Sequence, residues 1–272
     1  MRVLIDGRPV SESEASVSVL DWGLLRGFGV FEVVRIYGST PFRLDAHLAR
    51  LERSAGALGV PMPGRGDLAE WIAALAETNG EGHVRLVLTG GSRDHPALAP
   101  SRAILIWEPN PPVPAEIRVI PMAAPWHPAA DVGGFPGVKW TSYAPNMAAT
   151  DTARRAGFDD ALLIDRDGIV LEGPTFTVAW AHEGRLETPS LDLGILHSIT
   201  REVVLECAED LEVQVAQGHF PVGRMRTADE AFALSTLKEI RPIVLLGETA
   251  IPTGPVTGRF ADAFAEKVAA ET

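Results

Sequence analysis

Only three of the 24 basic residues are lysines, namely Lys139, Lys238 and Lys267; the other 21 are arginines. Guanidinium stays protonated in proteins, whereas burial can lower a lysine amine into the range where it acts as nucleophile or base. Lys267 lies in RFADAFAEKVAAE, the pattern of a solvated helix, which leaves Lys139 and Lys238 as the amines with chemistry to offer. Lys139 sits in GGFPGVKWTSY, among glycines and apolar residues with no carboxylate beside it. A poorly solvated amine of this kind suits Schiff-base formation. The same window also suits a surface lysine after a glycine-rich turn.

Three other windows carry groups that complement such an amine. Glu172, in VLEGPTFTVAW, is either an exposed position on an alternating strand or a buried carboxylate with a cationic or protonated partner. A pyridinium nitrogen would be a fitting partner, because the carboxylate keeps it protonated and the ring an electron sink. Ser198, Ile199 and Thr200 open a helix in LHSITREVV. Hydroxyls there are ordinary caps, and the N–H groups of the same first turn form an anion site suited to phosphate. Ser235 and Thr236 end the strand in ALSTLKEIRP, and Arg50 could supply a phosphate counter-charge. One amine, one ring-nitrogen carboxylate and several phosphate donors make up the requirements of a pyridoxal phosphate site.

The chain that must position these groups has 272 residues, 46% of them apolar, enough to bury a full core. Disorder, collagen and disulfide-stapled miniproteins are excluded on composition. The net charge of −12 argues against general affinity for nucleic acid or anionic membrane. No apolar run approaches the ~18 residues of a membrane span. The lone Cys207 can form neither an internal disulfide nor a cysteine-based metal cage, so a cytoplasmic location is expected and no metal site.

Strand patterns are expected over 2–10 and 16–20, followed by a hairpin over 29–43 turning at Gly38. Helices follow at 46–58 and about 67–78, then strands at 84–90 and 102–108. NPPVPA at 109–114 is the clearest linker, since proline there blocks both helix and sheet continuation. Beyond it, strands at 116–123, 176–182, 212–216, 230–235 and 242–247, a hairpin at 161–173, and helices from Ala144, around Cys207 and at the end complete the pattern. The expectation is an α+β chain with a small α/β domain at 1–113 and a larger domain at 114–272, and small-molecule sites favour such junctions.

Six stretches carry a resemblance to the fold-type IV pyridoxal-phosphate enzymes, or class IV aminotransferases. They are GFGVFEVVR (27–35), HLARLERSAGAL (47–58), VKWTSYAPNMAA (138–149), GFDDALLIDRDGIVLEG (157–173), ETPSLDLGILHSITREVVLE (187–206) and DEAFALSTLKEIRPI (229–243). The resemblance implies a larger domain with a β-barrel-like core, pyridoxal 5'-phosphate as cofactor, and a homodimer with no nucleic-acid or membrane partner. It implies that Lys139 forms the Schiff base, Glu172 faces the pyridine nitrogen, and Arg50, Ile199, Thr200 and Thr236, with Ser198 and Ser235 beside them, hold the phosphate. Leu196 would pack on a ring face and Tyr143 would approach the ring hydroxyl.

The departures bear on substrate. Gly27-Phe28-Gly29 replaces the usual Gly-Asp-Gly, Ser198 replaces a glycine, and Thr177 replaces an asparagine. Arg93 and His95 resemble the Arg-x-His carboxylate clamp of D-amino acid aminotransferases, but Phe31 stands where those enzymes carry tyrosine. Arg26, Arg85 and Lys238 are alternative carboxylate partners, and Arg93 and His95 also read as solvated loop residues. The expected activity is transamination between an amino acid, foremost a D-amino acid, and a 2-oxo acid. Aminodeoxychorismate lyase and branched-chain aminotransferase are the alternatives within the family, and a non-catalytic binding protein is the alternative outside it.

Overall fold

The computed structural model describes residues 2–127 and 135–272. The chain divides into two compact units: residues 1–111, 138–143 and 271–272, and residues 112–137 and 144–270.

The first unit holds β1 (Val3–Ile5), β2 (Arg8–Val10), α1 (Trp22–Arg26), β3 (Gly29–Tyr37), β4 (Thr40–Pro41), α2 (Leu44–Leu58), α3 (Arg65–Asn79), β5 (Gly82–Thr89) and β6 (Ala103–Glu108). Its strands form one antiparallel sheet in the order β2-β1-β6-β5-β3-β4. β3 alternates strictly: Val30, Val34 and Ile36 are buried, while Phe31, Val33 and Arg35 are only half-buried. The buried face meets α2 and α3 through Leu48, Leu51, Ala55, Leu68, Ile72 and Leu75. Gly38 turns from β3 to β4 at φ +60°, as the hairpin pattern requires. Residues 16–20 form no strand; the stretch is loop and turn leading to Asp21, whose carboxylate caps α1 by accepting the Gly23 N–H at 2.7 Å.

The second unit holds β7 (Ile117–Ala123), α4 (Ala144–Arg155), β8 (Asp160–Ile164), β9 (Thr177–His182), β10 (Arg185–Pro189), α5 (Ile199–Asp210), β11 (Val215–Gly218), α6 (Val222–Arg226), β12 (Glu230–Ser235), β13 (Glu239–Leu246), β14 (Thr249–Ala250) and α7 (Pro255–Glu271). Seven strands run β11-β10-β9-β12-β13-β7-β8, with β14 against β13, so the barrel-like core expected here takes the form of one mixed eight-stranded sheet. β9 and β12 are buried along nearly their whole length, as strands covered on both faces should be. Trp180, Phe232 and Phe260 fill this core.

One division differs from expectation. The segment 138–143 carries Lys139 and packs with the first unit, not with the second domain to which sequence continuity assigned it. Val138 joins the α2–α3 core, and Trp140 bridges antiparallel to Val30. Backbone hydrogen bonding outweighs proximity along the chain. Among the described residues no helix is long and apolar enough to cross a membrane.

Candidate active site

In the first unit the Lys139 backbone is pinned from both sides. Its carbonyl accepts the Phe31 N–H at 3.0 Å, and its own N–H donates to Ser54 Oγ at 3.2 Å. Thr141 continues the pairing: its N–H donates to Gly29 O at 2.9 Å and its hydroxyl to Gly27 O at 2.8 Å. Such close packing explains the two glycines. A Cβ on Gly29 would lie 2.5 Å from Leu88 O, and one on Gly27, which has φ +61°, would lie 2.6 Å from Ser142 Oγ. With its backbone fixed, the lysine presents its amine 4.5 Å from the centre of the Phe31 ring, and Tyr143 meets the same ring edge-on at 5.4 Å.

Behind Phe31, strand alternation turns Glu32 inward, where it is fully buried. α2 answers it with two basic residues one turn apart. Arg50 grips Glu32 through Nε and Nη2, both at 2.7 Å, and His47 Nδ1 lies 2.8 Å from Oε2. Burial alone would raise the Glu32 pKa; the Arg50 charge and the hydrogen bonds from Arg50 and His47 reverse this and hold the carboxyl well below the usual range. Burial also pushes the His47 imidazole down, with Glu32 opposing. Arg50, expected as a phosphate partner, thus has two of its nitrogens on a carboxylate. Sequence reasoning passed over this triad, although the signal was present: Glu32 has the parity of Val30 and Val34, and His47, Arg50 and Ser54 follow one helix edge beside the apolar Leu48, Leu51 and Ala55.

The candidate carboxylate-binding residues of this unit separate into groups. The Arg93 guanidinium lies over both Trp22 and Phe28, at 5.6 and 5.3 Å, and Arg26 stacks on Trp22 at 4.9 Å. Phe28, the departure from the family pattern, is therefore part of an aromatic–arginine stack. His95 is exposed, its backbone N–H bonded to Ser92 Oγ. Arg85 donates to Glu108 at 3.0 Å from the face of the sheet that also bears Phe31.

In the second unit, Glu172 lies just beyond the short pairing of Leu163 with Leu171. Its Oε2 accepts the Leu196 N–H at 3.2 Å and its Oε1 lies 3.1 Å from His127 Nε2. His127 is the second residue that sequence reasoning missed; no local pattern in APWHP marks it. Leu196 is half-buried. Ser198, Ile199 and Thr200 are buried at the start of α5, and Ser198 caps it by accepting the Arg201 N–H at 3.3 Å. The first N–H groups of a helix have no partner within it, and here one of them, that of Arg201, is met by the Ser198 cap. Ser235 accepts the Lys238 N–H at 3.1 Å, closing the turn in which Thr236 stands. Lys238 donates from Nζ to Thr175 Oγ1 at 2.8 Å with the Phe176 ring 5.5 Å away, and burial lowers its pKa against the pull of Asp160.

In the first unit Lys139 has a fixed backbone; in the second, Glu172 is held by donors and α5 has a capped N-terminus. The model of the amino-transferase class IV family matches residues 29–246, and the chain belongs to this family. It is 33% identical over 253 residues to a putative branched-chain-amino-acid aminotransferase of Methanocaldococcus jannaschii, covering 89% of this chain and 87% of that protein. It is 30% identical over 262 residues to the aminodeoxychorismate lyase of Bacillus subtilis (90% and 87% covered), and 28% identical over 284 residues to the D-alanine aminotransferase of Bacillus licheniformis (100% and 99%). The branched-chain aminotransferase of Thermoproteus uzoniensis, solved with norvaline, superposes with a TM-score of 0.89 at 30% identity, over 98% of this chain and 94% of that one. The fold is thus fold type IV, and the chain is a class IV pyridoxal-phosphate-dependent enzyme.

Proposed function

We propose that the chain is an aminotransferase that takes its amino group from a D-amino acid and passes it to a 2-oxo acid, with Lys139 as the reacting amine. The observation that carries this reading is the Lys139 geometry: a backbone locked at N–H and C=O, and a four-carbon arm that ends over Phe31. Such an arm can condense with an aldehyde and, once released, move a proton between two carbons in reach, the two jobs transamination asks of one residue.

The donor set fits pyridoxal 5'-phosphate. Glu172 would face its ring nitrogen, Leu196 and Tyr143 would contact the ring, and Ser198, Ile199, Thr200, Ser235, Thr236 and Arg50 would hold the phosphate. The bound group supplies the electron sink that makes the substrate α-proton labile. Glu172 would support that sink by placing a carboxylate at the ring nitrogen.

The D-amino acid preference is supported by Arg93, whose guanidinium is stacked on two rings so that its N–H edges stay available for bidentate grip of an α-carboxylate. Arg26, on the other contact of Trp22, Lys238 and Arg85 are the remaining carboxylate partners, with His95 beside Arg93. A branched-chain preference is favoured by a different observation, the phenyl ring of Phe31 with Val33 and Val87 on the same half-buried sheet face. Exposed Val19, Leu24, Leu25 and Leu98 support a homodimer, and a chain whose lone cysteine, Cys207, is buried fits a cytoplasmic setting.

The test is a half-reaction panel. Purified holoenzyme should lose its visible cofactor absorbance on mixing with D-alanine or D-glutamate, and turnover should fall at least about tenfold in Arg93→Gln through KM. Bleaching by L-leucine alone would give the branched-chain reading. Pyruvate released only from aminodeoxychorismate would give the lyase.

A further inference from the structure

Among the described residues, His127 is the side chain bonded to Glu172 that no role yet explains. β7 ends at Ala123, and the next turn closes when the His127 N–H donates to Ala124 O at 2.9 Å, while the Ala124 N–H donates to Ile164 O at 2.9 Å. On the other edge, Glu172 is tied to the same strand, β8, by the Leu163 N–H donating to Glu172 O at 2.8 Å. Both side chains are therefore registered against β8. Trp126 secures the turn by donating from Nε1 to Asn146 Oδ1 at 3.0 Å.

The chemistry of this pair fixes its proton. An ionised carboxylate only accepts hydrogen bonds, so at 3.1 Å the proton lies on His127 Nε2. His127 Nδ1 is buried with no hydrogen-bond partner among the described residues. A second proton there would bury an unpaired N–H on a cationic ring, whereas a bare nitrogen loses only an acceptor. The neutral Nε2–H tautomer follows.

We infer that His127 is a positioning residue for Glu172: as a neutral Nε2–H donor it shares with the Leu196 N–H the task of fixing the carboxylate's orientation without cancelling its charge. Each Glu172 oxygen is held by one neutral donor, and a carboxylate has lone pairs for more. The charge of Glu172 is thereby left to a cationic ligand group, a protonated ring nitrogen. The inference rests on the proposed role of Glu172, and its test separates the two.

In cofactor-free protein labelled with 15N-histidine, NMR near neutral pH should show one protonated and one bare nitrogen for His127. In Glu172→Gln those signals should move. Two protonated nitrogens in the wild type would overturn the neutral-donor role, and signals indifferent to Glu172→Gln would overturn the pairing, whatever the enzyme does. In the holoenzyme, His127→Phe should weaken pyridoxal 5'-phosphate binding about tenfold to a hundredfold, the worth of one hydrogen bond to a charged group, and shift the visible absorption band. His127→Gln, which keeps an N–H at similar reach, should restore both. Adding His127→Phe to Glu172→Gln should change neither further. An undiminished effect in that background, or none in the single variant, sinks the positioning role. If Glu172→Gln alone leaves binding and spectrum unchanged, the assignment of Glu172 to the ring nitrogen fails and the inference with it, while the NMR result stands separately. Should His127→Phe fail to fold, the tautomer measurement and His127→Gln decide.

Discussion

Glu32 and Glu172 are both carboxylates beside a histidine, one in each unit, and they are treated in opposite ways. Glu32 has no exposed surface, two bonds from Arg50 and one contact from His47. Its charge is spent inside the protein. Glu172 keeps part of its surface, meets one imidazole and one backbone N–H, and among the described residues has no guanidinium or ammonium partner. A buried carboxylate locked in an ion pair belongs to the fold, which suffers when one partner is removed, whereas one oriented by neutral donors is left to meet a ligand. Lys139 has its backbone tied to β3 and α2, whereas Lys267 is held at its amine by Asp210 at 2.7 Å.

The sharpest challenge to this contrast is Lys139→Ala. Turnover should drop by on the order of 10^4 or more in a stopped assay, with a melting temperature close to that of the wild type. Retained activity would place the chemistry elsewhere. Glu32→Gln should do the reverse, costing about 3–5 kcal/mol of stability by leaving Arg50 buried without its counter-ion, and lowering the melting temperature by roughly 10 °C in calorimetry. Glu172→Gln should barely change the melting temperature but slow the half-reaction by about 10^2 in stopped-flow absorbance. If it melts as early as Glu32→Gln, the two carboxylates do not differ in kind.

Acid makes a smaller probe of the same difference. The folded-state pKa of Glu32 is depressed, so its stabilisation is complete above the unfolded value of about 4.3 and is lost as pH falls below it. His47, also depressed, takes up a proton on unfolding below about pH 6.5, which adds to the loss in the same direction. Denaturant midpoints measured from pH 7 to 3 should therefore fall, and Glu32→Gln should flatten the lower part of that curve. The smallest effect belongs to Lys238→Met. It should raise KM a few-fold with little change in kcat if the amine meets substrate, and an unchanged KM would remove Lys238 from the carboxylate partners.

Much of the architecture was readable as pattern. Strand alternation from Val30 to Ile36, leucines at helical spacing in α2, and the glycine at position 38 are local signals, and each element formed about where its periodicity put it. The misreadings were also local in origin. Residues 16–20 alternate like a strand, yet no neighbouring strand pairs with them, and alternation without a partner leaves only loop. β10 was unmarked because Arg185–Pro189 mixes charge and proline, and it holds its place by pairing with β9 and β11.

What the chain alone determined, then, was its stock of chemistry: three lysines among 24 basic residues, a carboxylate in an apolar window, hydroxyls at a helix start, and six family stretches in order. Spacing along the chain sufficed because each of these signals lies within a few residues of itself. Tertiary structure decided which charges were already taken. That Arg50 is turned to Glu32 across 18 residues, that Glu172 is met by His127 across 45, and that Lys139 is sewn to β3 and α2 are contacts between distant segments. They depend on burial, where a charge must find a partner or an orienting dipole, and burial is set only when the sheets close over their helices.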